Sequence, residues 1–130
     1  MYEWVDHTAE LELRLEARTR EALFADALAA FAELIGDERG GEPVALEVEL
    51  EAHDSGTLLA EWLQELVFLA DTEDFVPERL AVLDLREHGL RATVEGRRGR
   101  PSQLVKAVTY HGLELRPAED GWAARVVLDV

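Results

Sequence analysis

The sequence contains no cysteine, and this absence excludes a disulfide framework, thiolate chemistry and zinc sites built on cysteine. Long hydrophobic runs are also missing: none approaches the roughly 20 residues that a membrane-spanning helix needs. The first residues, Met1 to Trp4, provide neither the basic start nor the apolar core of a signal peptide. We therefore expect a cytoplasmic protein that makes no contact with a membrane.

Basic charge is scarce: 13 lysine and arginine residues stand against 28 aspartate and glutamate residues, so the formal net charge is −15. A nucleic-acid-binding protein normally presents a basic face, because neutralisation of phosphates supplies much of its affinity. A chain this acidic is therefore a poor general binder of nucleic acid or of anionic membranes. Lysine itself occurs only once, at Lys106, whereas the other twelve bases are arginine.

Hydrophobic residues make up 48% of the 130 residues, which is too many for a disordered acidic chain, and the length predicts one domain over residues 1–130. Alternation of apolar and polar residues predicts β-strands at residues 2–5, 10–16, 44–53, 79–87, 90–95, 107–116 and 122–130. Apolar residues at three- and four-residue spacing predict two amphipathic helices. The first is capped by Thr19 and ends at Gly36. The second is capped by Asp54 or Ser55 and continues to Ala70.

The order of these elements predicts the fold class. Two strands, a helix, a strand and a second helix are followed by strands in hairpins, so strands and helices do not alternate regularly. We expect an α+β fold: a single two-layer domain in which two amphipathic helices pack on one face of a mixed, mostly antiparallel β-sheet. Polar loops are predicted at residues 37–43 and 96–101. The second contains Arg97, Arg98 and Arg100, the only local basic run, which either contacts RNA or is a solvated loop.

The common catalytic signatures are absent: the sequence has no phosphate-binding glycine loop, HExxH, EF-hand loop or GxSxG elbow. The four histidines are scattered, and His53 and His88 are expected in turns or on the surface. Two segments stand out, DHTAE at residues 6–10 and KAVTYH at residues 106–111. The first places a His-Thr pair between two carboxylates, or is simply a capped strand connection. The second places the only lysine on a strand, or is a strand with one solvated face.

The last predicted strand offers a further candidate site. Its even-numbered residues are the more apolar, so Asp129 lies on the opposite side, as Glu10 does on its own strand. If the two strands are neighbours, Glu10, Asp129 and the terminal oxygens of Val130 converge. Such an oxygen-only cluster suits a hard divalent cation such as Ca²⁺ or Mg²⁺ rather than zinc. The other interpretation is a solvated aspartate at a frayed end.

The same segments carry a resemblance to a known family. DHTAE at residues 6–10 resembles the DHTAD motif of archeases, and the segment from Glu61 to Glu73 resembles their WLxEL…DTE segment. KAVTYH at residues 106–111 and VLDV at residues 127–130 are similar to their KAxTYH and C-terminal LD[IV] motifs. The match runs from about residue 3 to residue 130 in the same order and spacing.

The resemblance implies a non-enzymatic protein cofactor. Archeases assist the RNA ligase that joins 2′,3′-cyclic-phosphate or 3′-phosphate ends to 5′-hydroxyl ends in tRNA splicing and RNA repair. They promote guanylylation of the ligase and let it turn over repeatedly. RNA contact is then expected to be indirect, through the ligase.

The resemblance also implies site residues. The family's divalent-metal ligands correspond to Glu10, Asp129 and Val130, and the lysine linked to activity corresponds to Lys106. Further candidates for partner contact within the matched motifs are Asp6, His7 and His111. Position 10 departs from the family, which usually has aspartate there, and the extra methylene changes the reach of the carboxylate. Asp6 is the nearest substitute.

Two other functions remain open from the residues alone. A small metal-dependent phosphoester hydrolase would use the same carboxylates, although no general base paired with a nucleophile is evident. A chaperone-like oligomeric binding module would use helix faces or sheet edges. Metal-dependent turnover without a ligase would indicate the first, and a stable oligomer that binds no metal would indicate the second.

Overall fold

The computed structural model describes residues 1–36 and 41–130. The predicted polar loop at residues 37–43 therefore lies mostly outside the described residues. Within them the chain forms seven β-strands and two α-helices in this order: β1 Tyr2–His7, β2 Glu10–Ala17, α1 Arg20–Ile35, β3 Pro43–Glu51, α2 Ser55–Thr72, β4 Phe75–Leu85, β5 Gly89–Arg98, β6 Ala107–Ala118 and β7 Gly121–Asp129. No helix in the described ranges is both long and apolar enough to cross a bilayer.

The strands form two antiparallel sheets, one of four strands in the order β1-β2-β7-β6 and one of three in the order β3-β5-β4. The predicted α+β class with two helices is therefore confirmed. The arrangement differs from the expected single mixed sheet, because every strand pair of the described residues is antiparallel and the pairs fall into two groups. Alternation along a strand shows which side is buried but not which strand lies beside it.

Both helices begin at a predicted cap and α1 ends at the predicted Gly36, whereas α2 continues to Thr72, two residues beyond the predicted Ala70. The side-chain oxygen of Thr19 accepts from Ala22 N–H at 3.0 Å, and that of Asp54 accepts from Thr57 N–H at 2.7 Å. Each cap satisfies a main-chain donor that has no partner within its helix. Gly36 ends α1 with φ of 71°, a conformation that glycine adopts without the steric cost of a Cβ atom.

The arginine-rich segment is partly strand rather than loop, which corrects the prediction for residues 96–101. Residues 96–98 belong to β5, and Arg98 pairs with Phe75, so β4 also begins earlier than predicted. Gly96 is a close-approach position, because a Cβ atom there would lie 2.1 Å from the carbonyl oxygen of Val76. Pro77 is tolerated within β4 because that strand lies at the edge of its sheet, where the register shifts.

The helices join the two sheets through a shared core. Buried residues of both sheets and both helices form one hydrophobic cluster. Trp62 of α2 is fully buried, and its indole N–H donates to the carbonyl oxygen of Phe24 of α1 at 3.0 Å. Helix α2 also lies along the edge strand β6, where the side-chain oxygen of Gln64 accepts from Val108 N–H at 3.0 Å. This contact satisfies a donor that an edge strand would otherwise expose.

Candidate functional site

One end of the four-stranded sheet brings three of the predicted site residues into a single cross-strand row. His7 of β1 pairs with Glu10 of β2, Glu10 pairs with Asp129 of β7, and Asp129 pairs with Ala107 of β6. Directly opposed residues of antiparallel strands project from the same face of the sheet. The predicted neighbourhood of the Glu10 and Asp129 strands is therefore confirmed by the register, although the two residues are 119 positions apart in the sequence.

Lys106 lies at the same end of the sheet. It immediately precedes β6 rather than lying within it, and its main-chain N–H donates to the carbonyl oxygen of Asp129 at 2.9 Å. Its side chain is exposed and makes no ion pair within the described ranges. The only lysine of the protein is thus hydrogen-bonded through its main chain to one member of the Glu10–Asp129 pair, and its side chain is accessible from solvent.

The Glu10–Asp129 pair is an arrangement of like charges that a cation would relieve. Side chains directly opposite each other on neighbouring strands are close enough for like charges to repel. In the described part of the chain neither carboxylate forms an ion pair with a basic side chain, and no group of three acidic or histidine side chains is arranged to hold a metal ion. The donor set for a hard cation is therefore two carboxylates, with main-chain oxygens of Val130 as the remaining candidates.

The adjacent row contains a buried carboxylate that sequence reasoning missed. Glu12 is only 1% exposed and lies between Val5 and Val127 on the neighbouring strands. Two arginines surround its carboxylate: Arg14 Nε donates at 2.6 Å and an Arg125 terminal nitrogen donates at 3.0 Å.

His7 is the third partner of Glu12. Its Nε2 lies 3.0 Å from Glu12 Oε1 and donates, since an ionised carboxylate only accepts. The hydrogen bonds from Arg125 and Arg14 are the main reason that the pKa of Glu12 falls from 4.5 to about 2, against the opposing effect of burial. Glu12 is therefore ionised at neutral pH, and the side chain of His7 is held in place beside Glu10.

The pairing of strand β6 with β7 is interrupted next to Glu12 and its arginine partners. Pairing with β7 stops after Thr109 and resumes at Glu114, so residues 110–113 form a bulge. In the bulge, the carbonyl oxygen of Gly112 accepts a hydrogen bond from Arg125 at 3.2 Å. Tyr110 donates to Glu61 Oε1 of α2 at 2.7 Å, and burial together with this carboxylate raises the pKa of Tyr110 to about 12.

The remaining predicted residues lie around this row without joining it. His111 is exposed within the bulge, and Asp6 is exposed but pairs with Leu11, which places it on the opposite face from His7 and Glu10. The turn between β1 and β2 contains Ala9 with φ of 62°, a left-handed conformation that costs a non-glycine residue roughly 1 kcal/mol. Because Asp6 projects from the opposite face of the sheet, it is not positioned to substitute for Glu10.

The basic run at residues 97–100 is largely used within the protein. Arg98 donates to the carbonyl oxygen of Glu73 at 2.6 Å, at the end of α2. Arg97 donates to the carbonyl oxygen of Gly41 at 3.2 Å. Both arginines therefore have structural partners, and a contact with RNA through this segment stays an untested prediction that concerns mainly Arg100.

Sequence reasoning missed Glu12 because its alternation with leucine is the same as that of Glu10 and Glu16. A signal for it appears only once the strand pairing is known. Arg14 and Arg125 are the only bases on the outer sides of their strands, and strand pairing places them opposite each other. Two adjacent cations on one sheet face predict an anion between or beside them.

Comparisons with known proteins point to one family. The model of the archease protein family (MTH1598/TM1083) matches residues 2–130. Protein archease of Methanosarcina barkeri is 34% identical over 139 residues, covering 99% of this chain and 95% of that protein. Protein archease of Archaeoglobus fulgidus is 33% identical over 135 residues, covering 99% and 98%.

Solved structures share the fold. The solution structure of Methanobacterium thermoautotrophicum protein 1598 superposes with a TM-score of 0.69 at 28% identity, covering 99% of this chain and 98% of that one. The crystal structure of a Thermotoga maritima protein described as an archease and possible chaperone superposes with a TM-score of 0.70 at 21% identity, covering 100% and 98%. The second similarity concerns the fold alone. From the family match and the sequence identities together, the chain belongs to the archease family.

Proposed function

We propose that this protein is a non-enzymatic cofactor of an RNA ligase that joins 2′,3′-cyclic-phosphate or 3′-phosphate ends to 5′-hydroxyl ends. It promotes guanylylation of that ligase and its repeated turnover. The observation that supports this most directly is the register that sets Glu10 opposite Asp129, with Lys106 hydrogen-bonded to the main chain of Asp129. These are the positions that the archease motifs link to activity.

A divalent cation belongs to this proposal because of the chemistry of the donors. Glu10 and Asp129 would hold it, with oxygens of Val130 as further ligands, and water or the ligase would complete the coordination. Ca²⁺ is our first candidate, and Mg²⁺ and Mn²⁺ are alternatives. When bound, the cation supplies positive charge to phosphate groups of the ligase's nucleotide. Glutamate at position 10 still provides carboxylate oxygen, so the donor type of the site is preserved.

The role of Lys106 follows from its exposure and its position. Its main chain is anchored to Asp129, and its exposed ammonium group makes no ion pair in the described residues, so it is available to a phosphate or to an acidic side chain of the ligase. The net charge of −15 argues that RNA is held by the ligase rather than by this protein.

The test is a multiple-turnover ligation assay with the purified ligase, GTP and a divalent cation. Adding this protein should increase both the guanylylated fraction of the ligase and the number of ligations per ligase molecule. Asp129→Asn and Lys106→Ala should abolish the increase while leaving the unfolding temperature unchanged. If the unmodified protein changes neither guanylylation nor turnover, the proposal is wrong.

Two matched variants control for general charge effects. Asp120→Asn removes an exposed carboxylate from the β6–β7 turn, at the opposite end of the same sheet. Arg91→Ala removes an exposed base from β5, in the three-stranded sheet. Both should activate the ligase fully. Isothermal titration with Ca²⁺, Mg²⁺ and Mn²⁺ should show binding that Asp129→Asn removes and Asp120→Asn retains.

A chaperone-like function is the second candidate, because the Thermotoga maritima protein is described as a possible chaperone. It predicts that this protein suppresses aggregation of an unrelated unfolding protein in the absence of metal and ligase. Under the ligase-cofactor proposal, aggregation proceeds as it does with an equal mass of an inert protein. The two functions are therefore separated by one light-scattering experiment.

A further inference from the structure

We infer that the β6 bulge, residues 110–113, is a contact segment for the ligase and that Arg125 and Glu12 hold it in the position required for activation. The inference rests on the proposed function, because it concerns the same activating surface. It assigns positioning roles to two residues that lie outside the carboxylate pair and Lys106.

The bulge is not held by the sheet. Pairing of β6 with β7 is interrupted between Thr109 and Glu114, so its four residues have no ladder partners. Within the described residues, the side-chain hydrogen bonds that tie it to other elements are the one from Tyr110 to Glu61 and the one that Gly112 accepts from Arg125. A segment whose ladder pairing is interrupted depends on such anchors to keep one conformation.

Arg125 connects the bulge to the carboxylate end of the sheet. One terminal nitrogen donates to Gly112 at 3.2 Å while the other lies 3.0 Å from Glu12 Oε1. Glu12 in turn accepts from His7, which is directly opposite Glu10. The planar guanidinium group is suited to this task because its donors have fixed directions, whereas a lysine ammonium cannot bridge two acceptors in the same way.

Gly112 provides independent support. Its φ of +69° is a conformation that other residues rarely adopt, and a Cβ atom there would lie 2.4 Å from an Arg125 terminal nitrogen. The arginine therefore crosses the bulge at a residue that has no side chain to obstruct it. Tyr110 and His111, the two residues before that contact, remain exposed, with 51% of Tyr110 accessible. They present a phenol and an imidazole at the surface of the strand that follows Lys106.

The experiment uses the full chain and measures ligation as a function of its concentration. Arg125→Gln should raise the concentration required for half-maximal activation roughly tenfold, the factor expected for loss of one charge-assisted hydrogen bond. Arg125→Lys keeps the charge but not the bridge, so it should show most of the same loss. Gly112→Ala, which changes no charge, should also raise the half-maximal concentration. Arg116→Gln, which breaks an exposed pair with Glu114 beyond the bulge, is the matched control and should leave the curve unchanged.

Hydrogen exchange and metal titration make the outcome specific. Arg125→Gln and Gly112→Ala should accelerate amide exchange at residues 110–113 but not at residues 107–109. Because neither residue is a ligand, both variants should bind the divalent cation with an affinity within about twofold of that of the unmodified protein. Unchanged exchange, or an unchanged activation curve in both variants, overturns the inference. Failure of the unmodified protein to activate the ligase is a different result, which rejects the proposed function itself.

Discussion

Replacement of Glu12 by glutamine should destabilise the protein in a way that depends on pH. The carboxylate is 1% exposed, and the fall of its pKa from 4.5 to about 2 corresponds to roughly 3 kcal/mol of folding free energy at neutral pH. Arg14 and Arg125 are 56% and 41% exposed, so solvent screens part of this interaction. We therefore expect Glu12→Gln to lower the free energy of unfolding by roughly 1–2 kcal/mol at pH 7.

The sign of the pH dependence follows from the lowered pKa. Since the carboxyl group binds a proton more weakly when folded, its stabilisation is complete above the unfolded pKa, near 4.5, and is lost as the pH falls toward the folded pKa of about 2. The difference between the two proteins should be constant from pH 8 to about pH 5 and should decrease below that. Other carboxylates titrate in the same range, but they do so in both proteins and cancel in the difference.

The assay is urea unfolding followed by tryptophan fluorescence at a series of pH values. Glu49→Gln is the control, because Glu49 forms an exposed pair with Arg91 at 2.8 Å and should change stability by less than about 1 kcal/mol at any pH. A difference between Glu12→Gln and the unmodified protein that is as large at pH 3 as at pH 7 would refute the reasoning. A negligible difference at pH 7 would show that the arginines do not stabilise the carboxylate.

Three further predictions concern the helices and the tyrosines. Trp62→Phe should lower stability by about 2 kcal/mol in urea unfolding, because it removes buried volume and the hydrogen bond from the indole to a carbonyl of α1. Asp54→Ala should lower it by about 1 kcal/mol through loss of the α2 cap, whereas Asp54→Ser should retain most of the stability. The Tyr2→Phe variant leaves Tyr110 as the only tyrosine, and its tyrosinate absorbance should appear with a pKa of about 12. Adding Glu61→Gln should lower that pKa but not to 10, because burial is the larger cause; an unchanged midpoint would contradict the hydrogen bond.

The sequence anticipated the candidate site better than it anticipated the sheets. The facing of Glu10 and Asp129 follows from period-two alternation, since apolar neighbours must turn inward and leave these carboxylates outside. Whether their strands are adjacent is a long-range property, and the archease resemblance supplied the expectation that they are. Glu12 shows the opposite case. Its burial arises from Arg125, 113 residues away, crossing to it from the neighbouring strand, and no local pattern reports such a contact.

Local chemistry in the sequence therefore determined the two helices, their capping residues and the inward face of most strands, because each depends on hydrogen bonds and side-chain periodicity within a few residues. The tertiary structure alone decided the division into two antiparallel sheets, the inclusion of Gly96 in a strand and the bulge at residues 110–113. It also decided which of the surplus carboxylates is buried between arginines and which two face each other without a basic partner in the described chain. Those outcomes depend on strand order and register, which bring together groups more than a hundred residues apart.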